Sequence, residues 1–173
     1  APRAAEIDKS GEFPEDIRQL LASQDVLALP FPVEHGGLGA DLLTVCIAIE
    51  QIARACATSS LILTVHDLGS KSLLLAGTDE QKARFFPNLA SGATLAAFAL
   101  TEPEAGSDAA ALRTRAIREG DGYHLSGTKR FITNASVAGL YTVFAKTDPE
   151  AGHSGISAFV VEAGTPGFEV ARL

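Results

Sequence analysis

Apolar positions along this chain follow two different periods, and the change between them falls near residue 93. Before it, apolar residues recur every three or four positions, as on one face of a helix; after it, short apolar runs alternate with turn residues. Gly11-Glu12-Phe13-Pro14-Glu15-Asp16 predicts a helix start, with Pro14 in the first turn and acids at the positive end of the dipole. Ile17, Leu20 and Leu21 then mark its buried face. Leu29-Pro30-Phe31-Pro32 ends that helix, because each proline biases the residue before it away from helical geometry. Asp41 is placed to cap Leu42 to Arg54, a stretch so apolar that only Glu50, Gln51 and Arg54 face water easily, which predicts a central helix. Another helix is expected from Ser59 to Ala76, opened by Thr58 and ended by Gly77 in a left-handed conformation. Thr78-Asp79-Glu80-Gln81 has capping-box spacing and opens a short helix through Phe85 and Phe86, which Pro87 and Gly92 punctuate.

From Thr94 the pattern is that of strands: Thr94 to Leu100, Arg113 to Arg118, Tyr123 to Ser126, Leu140 to Lys146, Gly155 to Glu162 and Phe168 to Arg172. Gly120-Asp121-Gly122 and Thr165-Pro166-Gly167 supply turn chemistry between them. The expectation is an α+β chain: a helical domain over 1–93, then an antiparallel β region over 94–173, as a barrel or sandwich.

Composition adds bounds to that picture. With 173 residues, 46% hydrophobic and 20% charged, the chain can bury a core as one domain or two small ones. The long apolar run from Ser59 to Gly77 is interrupted by His66, Asp67 and Lys71, which reads as a buried helix and not a membrane span. Ala1 to Gly11 has no apolar core of the kind a signal peptide needs, so the expected location is cytoplasmic, or the mitochondrial matrix in a eukaryote. The net charge of −7 and scattered basic residues argue against nucleic acid as a partner. Cys46 and Cys56 lie in apolar surroundings without a CxxC pattern and are expected to be free and buried, in a reducing compartment. His35, His66, His124 and His153 are dispersed, so no metal spacing emerges.

Three places could carry chemistry. The first is Ala97 to Asp108, an apolar run breaking into acids, hydroxyls and glycine. Thr101, Ser107 and the amides near Gly106 suit a polar heterocycle or a carbonyl, while the plainer alternative is a surface loop with Asp108 capping a helix turn. The second is Gly36-Gly37-Leu38-Gly39, which lacks a preceding apolar strand and the GxGxxG pattern of a phosphate cradle and reads as a loop between helices. The third is His66 with Asp67, a possible general base and orienter; adjacent helical residues point about 100° apart, which favours a structural role.

Leu100-Thr101-Glu102-x-x-Ala105-Gly106-Ser107-Asp108 resembles the signature of the acyl-CoA dehydrogenase family. The resemblance extends in the same order to Pro30-x-x-x-Glu34-His35-Gly36-Gly37-Leu38-Gly39, Gly77-Thr78-x-x-Gln81-Lys82, Gly127-Thr128-Lys129-x-Phe131-Ile132-Thr133-Asn134-Ala135 and Gly155-Ile156-Ser157-Ala158-Phe159. It implies a fold of helical domain, β-barrel and C-terminal helical bundle, with FAD between barrel and bundle. Against that frame the chain matches part of the N-terminal helical domain and most of the middle barrel, with the bundle absent.

The implied activity is FAD-dependent α,β-dehydrogenation of an acyl-CoA thioester, in fatty acid metabolism. Alternatives are an acyl-CoA oxidase or flavin monooxygenase of the same fold, or a non-catalytic subunit of a heteromeric flavoprotein. The resemblance places Phe98, Ala99, Leu100, Thr101, Gly106 and Ser107 along one side of the flavin, with Thr101 on its pyrimidine edge and Ser107 also at the CoA thioester arm. Phe131, Ile132 and Thr133 form the second segment, with Thr133 near N5. Many members carry Trp at the position of Phe131 and commonly Tyr at that of Phe98; an aromatic face is kept at both and a polar handle is lost. The base is a glutamate of the bundle, which Glu102 and Glu104 do not match, so the chain by itself is expected to be inactive. An electron-transfer flavoprotein is the implied acceptor, and the full-length protein is implied to be a homo-oligomer.

Overall fold

The computed structural model describes residues 3–171. The chain divides into two compact units, Ala1–Ala96 and Ala97–Leu173.

Among the described residues the first unit contains five α-helices: α1 (Ala4–Ser10), α2 (Glu15–Ser23), α3 (Leu42–Ala55), α4 (Ala57–Ala76) and α5 (Asp79–Ala90). The short α1 has one buried side chain, Ile7, and too little apolar periodicity to predict. In α2, Leu21 enters a core with Leu27, Ile62, Leu63 and Leu95, and Ile17 packs at its edge. Asp41 caps α3 as expected, its Oδ1 accepting the Thr44 N–H at 2.8 Å.

The central helix is α4, not α3. Only Val45 is buried on α3, whereas Leu42 and Leu43 are 64% and 68% exposed. Apolar content alone does not say which face finds a neighbour. The small residues Ser59, Ser60, Gly69 and Ser70, all buried on α4, let other elements approach it from several sides. Cys46 rides on exposed α3 and is itself exposed, against expectation, while Cys56 is buried; both are free thiols.

Two details of the helix ends also differ from expectation. Gly77 has φ −68° and ψ 148°, so it is extended and not left-handed. Its glycine is required by space, since a Cβ there would lie 2.5 Å from the Leu73 carbonyl oxygen. The capping box of α5 is complete: Thr78 N–H donates to Gln81 Oε1 at 2.9 Å, and Gln81 N–H to Thr78 Oγ1 at 3.2 Å. The helix then continues through Pro87 to Ala90; the missing proline N–H costs one bond near its end, where Ser91 N–H still reaches the Pro87 carbonyl at 3.1 Å.

The second unit is built on β1 (Ala96–Ala99), β2 (Arg115–Glu119), β3 (Gly122–Ser126), β4 (Leu140–Lys146) and β5 (Ile156–Glu162). The sheet order is β1-β4-β2-β3, with β5 also on β4. β2 and β3 form a hairpin from Arg115↔Ser126 to Glu119↔Gly122, turned by Gly120 at φ 59°. β4 and β5 pair antiparallel from Leu140↔Glu162 to Lys146↔Ile156. β2 meets β4 in parallel, and only at Arg115↔Lys146.

The expected antiparallel barrel is therefore a mixed sheet whose backbone ladder stays open among the described residues. Alternation of apolar and polar residues sets which face is buried, not strand direction. Side chains span part of the gap: Tyr123 on β3 meets Phe159 on β5 edge-on at 5.1 Å. The expected strand Phe168 to Arg172 is not formed over 168–171, where Phe168 instead packs its ring 4.5 Å from that of Tyr141. Arg172 lies outside the described residues. No helix among these residues is long and apolar enough to cross a membrane.

Candidate functional site

Strand β1 starts the site. Ala97 and Ala99 are buried with Ala138, Tyr141 and Val143, so Phe98 between them points to the opposite face, where its ring lies 5.0 Å from that of Phe144. The chain leaves β1 at Leu100 and doubles back in a tight turn: Glu102 N–H donates to the Ala105 carbonyl at 3.0 Å, and Ala105 N–H returns a bond to the Glu102 carbonyl at 3.3 Å. Thr101 is half-buried before this turn; Gly106 and Ser107 are exposed after it.

The segment after β3 comes to the same place. Arg130 N–H donates to the Thr101 carbonyl at 2.8 Å. Lys129 Nζ donates to the Leu100 carbonyl at 3.0 Å and to Glu102 Oε1 at 2.8 Å. Leu100 and Thr101 are thus fastened directly to the stretch that carries Phe131, Ile132 and Thr133. Phe131 has φ 58°, a left-handed backbone uncommon for a bulky side chain, and its ring is 80% exposed with the Arg130 guanidinium 4.7 Å above it. Ile132 turns inward onto the core under β1, and Thr133 is exposed. Asn134, at φ 67°, has a buried side-chain Nδ2 without a hydrogen-bond partner. Its own carbonyl accepts from the Val137 and Ala138 amides at 3.0 and 2.8 Å, and the Tyr141 hydroxyl lies 2.7 Å from the Ala135 carbonyl.

Glu102 is the electrostatic centre of this region. It is buried, which by itself raises a carboxyl pKa, yet hydrogen bonds from Lys129, from the Thr114 hydroxyl and from the Arg113 and Thr114 amides hold it down at about 2. Burial lowers the Lys129 ammonium pKa against the pull of Glu102, and the two groups form an ionised pair. Gly127 belongs to the same packing, because a Cβ there would lie 2.3 Å from Thr114 Oγ1. Glu104 is exposed at the turn and pairs with Arg113.

The remaining candidates are structural. Asp108 opens a short 3₁₀ turn, but its side chain makes no capping bond. In Gly36 to Gly39 all four amides donate to carbonyls of Val33, Pro32, Ala28 and Phe31, so none is left for a phosphate. His66 is fully buried, with Nε2 3.0 Å from the Leu89 carbonyl and Nδ1 accepting the Ala96 N–H at 3.1 Å. The first contact is therefore a donated Nε2–H. Burial pulls its pKa down to about 4, so the ring is neutral, and Asp67 is engaged elsewhere with Lys71 at 2.7 Å.

The exposed Phe131 ring, the half-buried Thr101 and the exposed Thr133 lie on two segments fastened together, a set of residue types that suits a planar ring with a polar edge. Reading the chain alone passed over Glu102, Thr114 and Lys129 as the fastening of that set. Glu102 is separated from its partners by 11 to 27 residues, which no local period reveals. The local signal that could have pointed to them is Gly127, a glycine directly after β3 of the kind found where another part of the chain comes close.

Comparison with known proteins gives consistent matches over both units. The model of the acyl-CoA dehydrogenase N-terminal domain matches residues 1–93, and that of the acyl-CoA dehydrogenase middle domain matches residues 97–173. An acyl-CoA dehydrogenase of Bacillus subtilis (strain 168) is 46% identical over 99% of this chain and 46% of its own length. Among solved structures, butyryl-CoA dehydrogenase from Megasphaera elsdenii superposes with a TM-score of 0.90 at 38% identity, over 96% of this chain and 45% of that one. An acyl-CoA dehydrogenase complexed with FAD from Bacillus anthracis gives 0.83 at 34% identity, over 96% and 28%. The chain spans about half the length of the curated relatives it matches.

Proposed function

The chain belongs to the acyl-CoA dehydrogenase family, and from that premise we propose that it forms one wall of an FAD site in an enzyme that introduces an α,β-double bond into acyl-CoA thioesters. The observation that carries this is the 2.8 Å bond from Arg130 N–H to the Thr101 carbonyl, which joins the two segments whose hydroxyls and aromatic ring the cofactor needs. When bound, the flavin supplies a hydride acceptor whose pyrimidine edge gains negative charge on reduction. Thr101 donates toward that edge, where a fixed donor favours the charged form. Thr133, exposed on the segment fastened to Thr101, would donate near N5, as the family resemblance implies. Phe131 and Phe98 offer apolar faces, with Ala99, Leu100 and Ile132 closing the wall behind them. Gly106 keeps the backbone open to close approach, and Ser107 meets both the cofactor and the CoA arm of the substrate.

The base that removes the α-proton comes from outside the loop at Thr101–Asp108. Glu102 is buried and held ionised, and Glu104 is spent on Arg113. An electron-transfer flavoprotein as acceptor, a homo-oligomeric full-length protein and a cytoplasmic or matrix location belong to the same reading.

The test uses the full-length protein. Purified enzyme is expected to show the visible absorption of oxidised flavin, and anaerobic butyryl-CoA to bleach it. Thr133→Ala is expected to slow bleaching by about tenfold to a hundredfold, the range for loss of one fixed donor. A preparation without flavin, or flavin that no acyl-CoA bleaches, overturns the proposal. Rapid reoxidation of the bleached enzyme by air would instead assign an oxidase.

A further inference from the structure

We infer that Glu102 and Lys129 are positioning residues for the Thr101 and Thr133 hydroxyls, holding the two cofactor-facing segments at one spacing; this rests on the FAD reading above. Glu102 follows Thr101 directly, and Lys129 stands four residues before Thr133, so the pair links the two hydroxyl-bearing stretches from behind. The carboxylate accepts four hydrogen bonds, three of them on Oε1. Oε2 accepts the Arg113 N–H at 2.6 Å, while Oε1 accepts the Thr114 N–H at 3.0 Å, the Thr114 hydroxyl and Lys129 Nζ at 2.8 Å. Lys129 Nζ spends a second donor on the Leu100 carbonyl at 3.0 Å. The side chains of the pair are only 6% and 11% exposed.

Such a pair is a costly way to hold a loop. Desolvating two charges offsets most of their attraction, and well-packed apolar residues of similar volume commonly give equal or greater stability. What the ionic arrangement adds is direction. Both carboxylate oxygens and two of the three ammonium donors have assigned partners, so a displacement of Lys129 weakens its bonds to Leu100 and Glu102 together. An apolar contact would tolerate that slip. The segments fastened this way carry an exposed aromatic ring at positive φ and an unpartnered amide, features that a fold-stabilising loop does not need.

The full-length, flavin-containing protein is compared with its Glu102→Gln, Lys129→Met and Glu102→Gln/Lys129→Met variants. Lys71→Met breaks the Asp67–Lys71 pair on α4 and serves as the control. Either single variant is expected to raise the dissociation constant for FAD by about tenfold or more, roughly 1.4 kcal/mol per decade, and to shift the visible spectrum of the flavin that remains. The control is expected to lower the melting temperature while leaving flavin affinity and spectrum unchanged. If a single variant does not fold, the double variant, which leaves no uncompensated charge, supplies the same readout. Wild-type affinity and spectrum in the variants overturn the inference, as does equal flavin loss in Lys71→Met. Failure of all three variants to fold, with Lys71→Met intact, assigns the pair to stability and overturns it too. Absence of flavin from the wild type brings down the proposed function and this inference together, whereas a flavin-containing wild type with unaffected variants removes only the inference.

Discussion

His66 shows how one buried side chain ties several elements of the helical unit. From α4 it donates Nε2–H to the Leu89 carbonyl of α5 and accepts the N–H of Ala96, the last residue of that unit. Accepting the Ala96 N–H at Nδ1 requires a neutral ring, whereas the donated bond to Leu89 favours the cation; burial outweighs the latter and holds the pKa at about 4. An unfolded histidine takes its proton near pH 6.5. Between those values only the unfolded state binds the proton, so stability is full above pH 6.5 and falls as pH drops toward 4. The total loss is roughly 3 kcal/mol, with roughly 2 kcal/mol of it gone by pH 5. Hydrogen exchange of α4 amides in the full-length protein, corrected for intrinsic rates, is expected to speed up at pH 5 relative to pH 7, and a His66→Gln variant to lose that dependence. Equal protection of the wild type at both pH values would contradict this assignment. Glu102 acts in a lower window: its stabilisation is full above pH 4.5 and disappears as pH falls toward about 2.

At the scale of elements, the segment linking β3 to the Phe131 loop depends on Gly127. A Cβ there would lie 2.3 Å from Thr114 Oγ1 and 2.8 Å from Thr114 Cα, and Thr114 is pinned to Glu102 and cannot retreat. Gly127→Ala in the full-length protein is expected to cost about 1–3 kcal/mol and to weaken flavin retention; unchanged thermal stability and flavin content would contradict the packing described. Most of the elements were legible in the chain, α1 and the unformed strand at 168–171 apart. Leu140 to Lys146 is an apolar run of strand length and became β4, Asp41 capped α3, and Thr78 to Gln81 opened α5 as spaced. The orientation of α3 was not legible, because Leu42, Leu43 and Val45 look alike in sequence and only a neighbour distinguishes them. Nor was the parallel contact of β2 with β4, since alternation carries no strand direction. The flavin-facing candidates at Thr101 and Thr133 came from motif resemblance, and their fastening through Glu102 and Lys129 became visible only once residues 27 positions apart were brought together.

For the whole molecule, the question is which part of the proposed reaction this stretch can perform. A base for an α-proton needs a pKa near the working pH and reach to the substrate. Glu102, at about 2 and enclosed by four donors, is too weak a base and too deeply held. Glu104 and Asp108 are the other carboxylates of the loop; both are exposed, and Glu104 is paired with Arg113. The residues near the candidate site are therefore suited to binding and orienting, not to proton abstraction, and the relatives this chain matches are about twice its length. The proposed division of labour predicts that Glu104→Gln and Asp108→Asn in the full-length protein leave kcat, for an acyl-CoA that bleaches the wild-type flavin, within about twofold and do not move the acidic limb of its pH–rate profile, which reports the base. A loss of about tenfold or more in kcat together with a displaced limb would place the base in this loop after all. A loss confined to KM would place the residue at the substrate's CoA arm beside Ser107, because uniform binding lowers KM without assisting the chemical step.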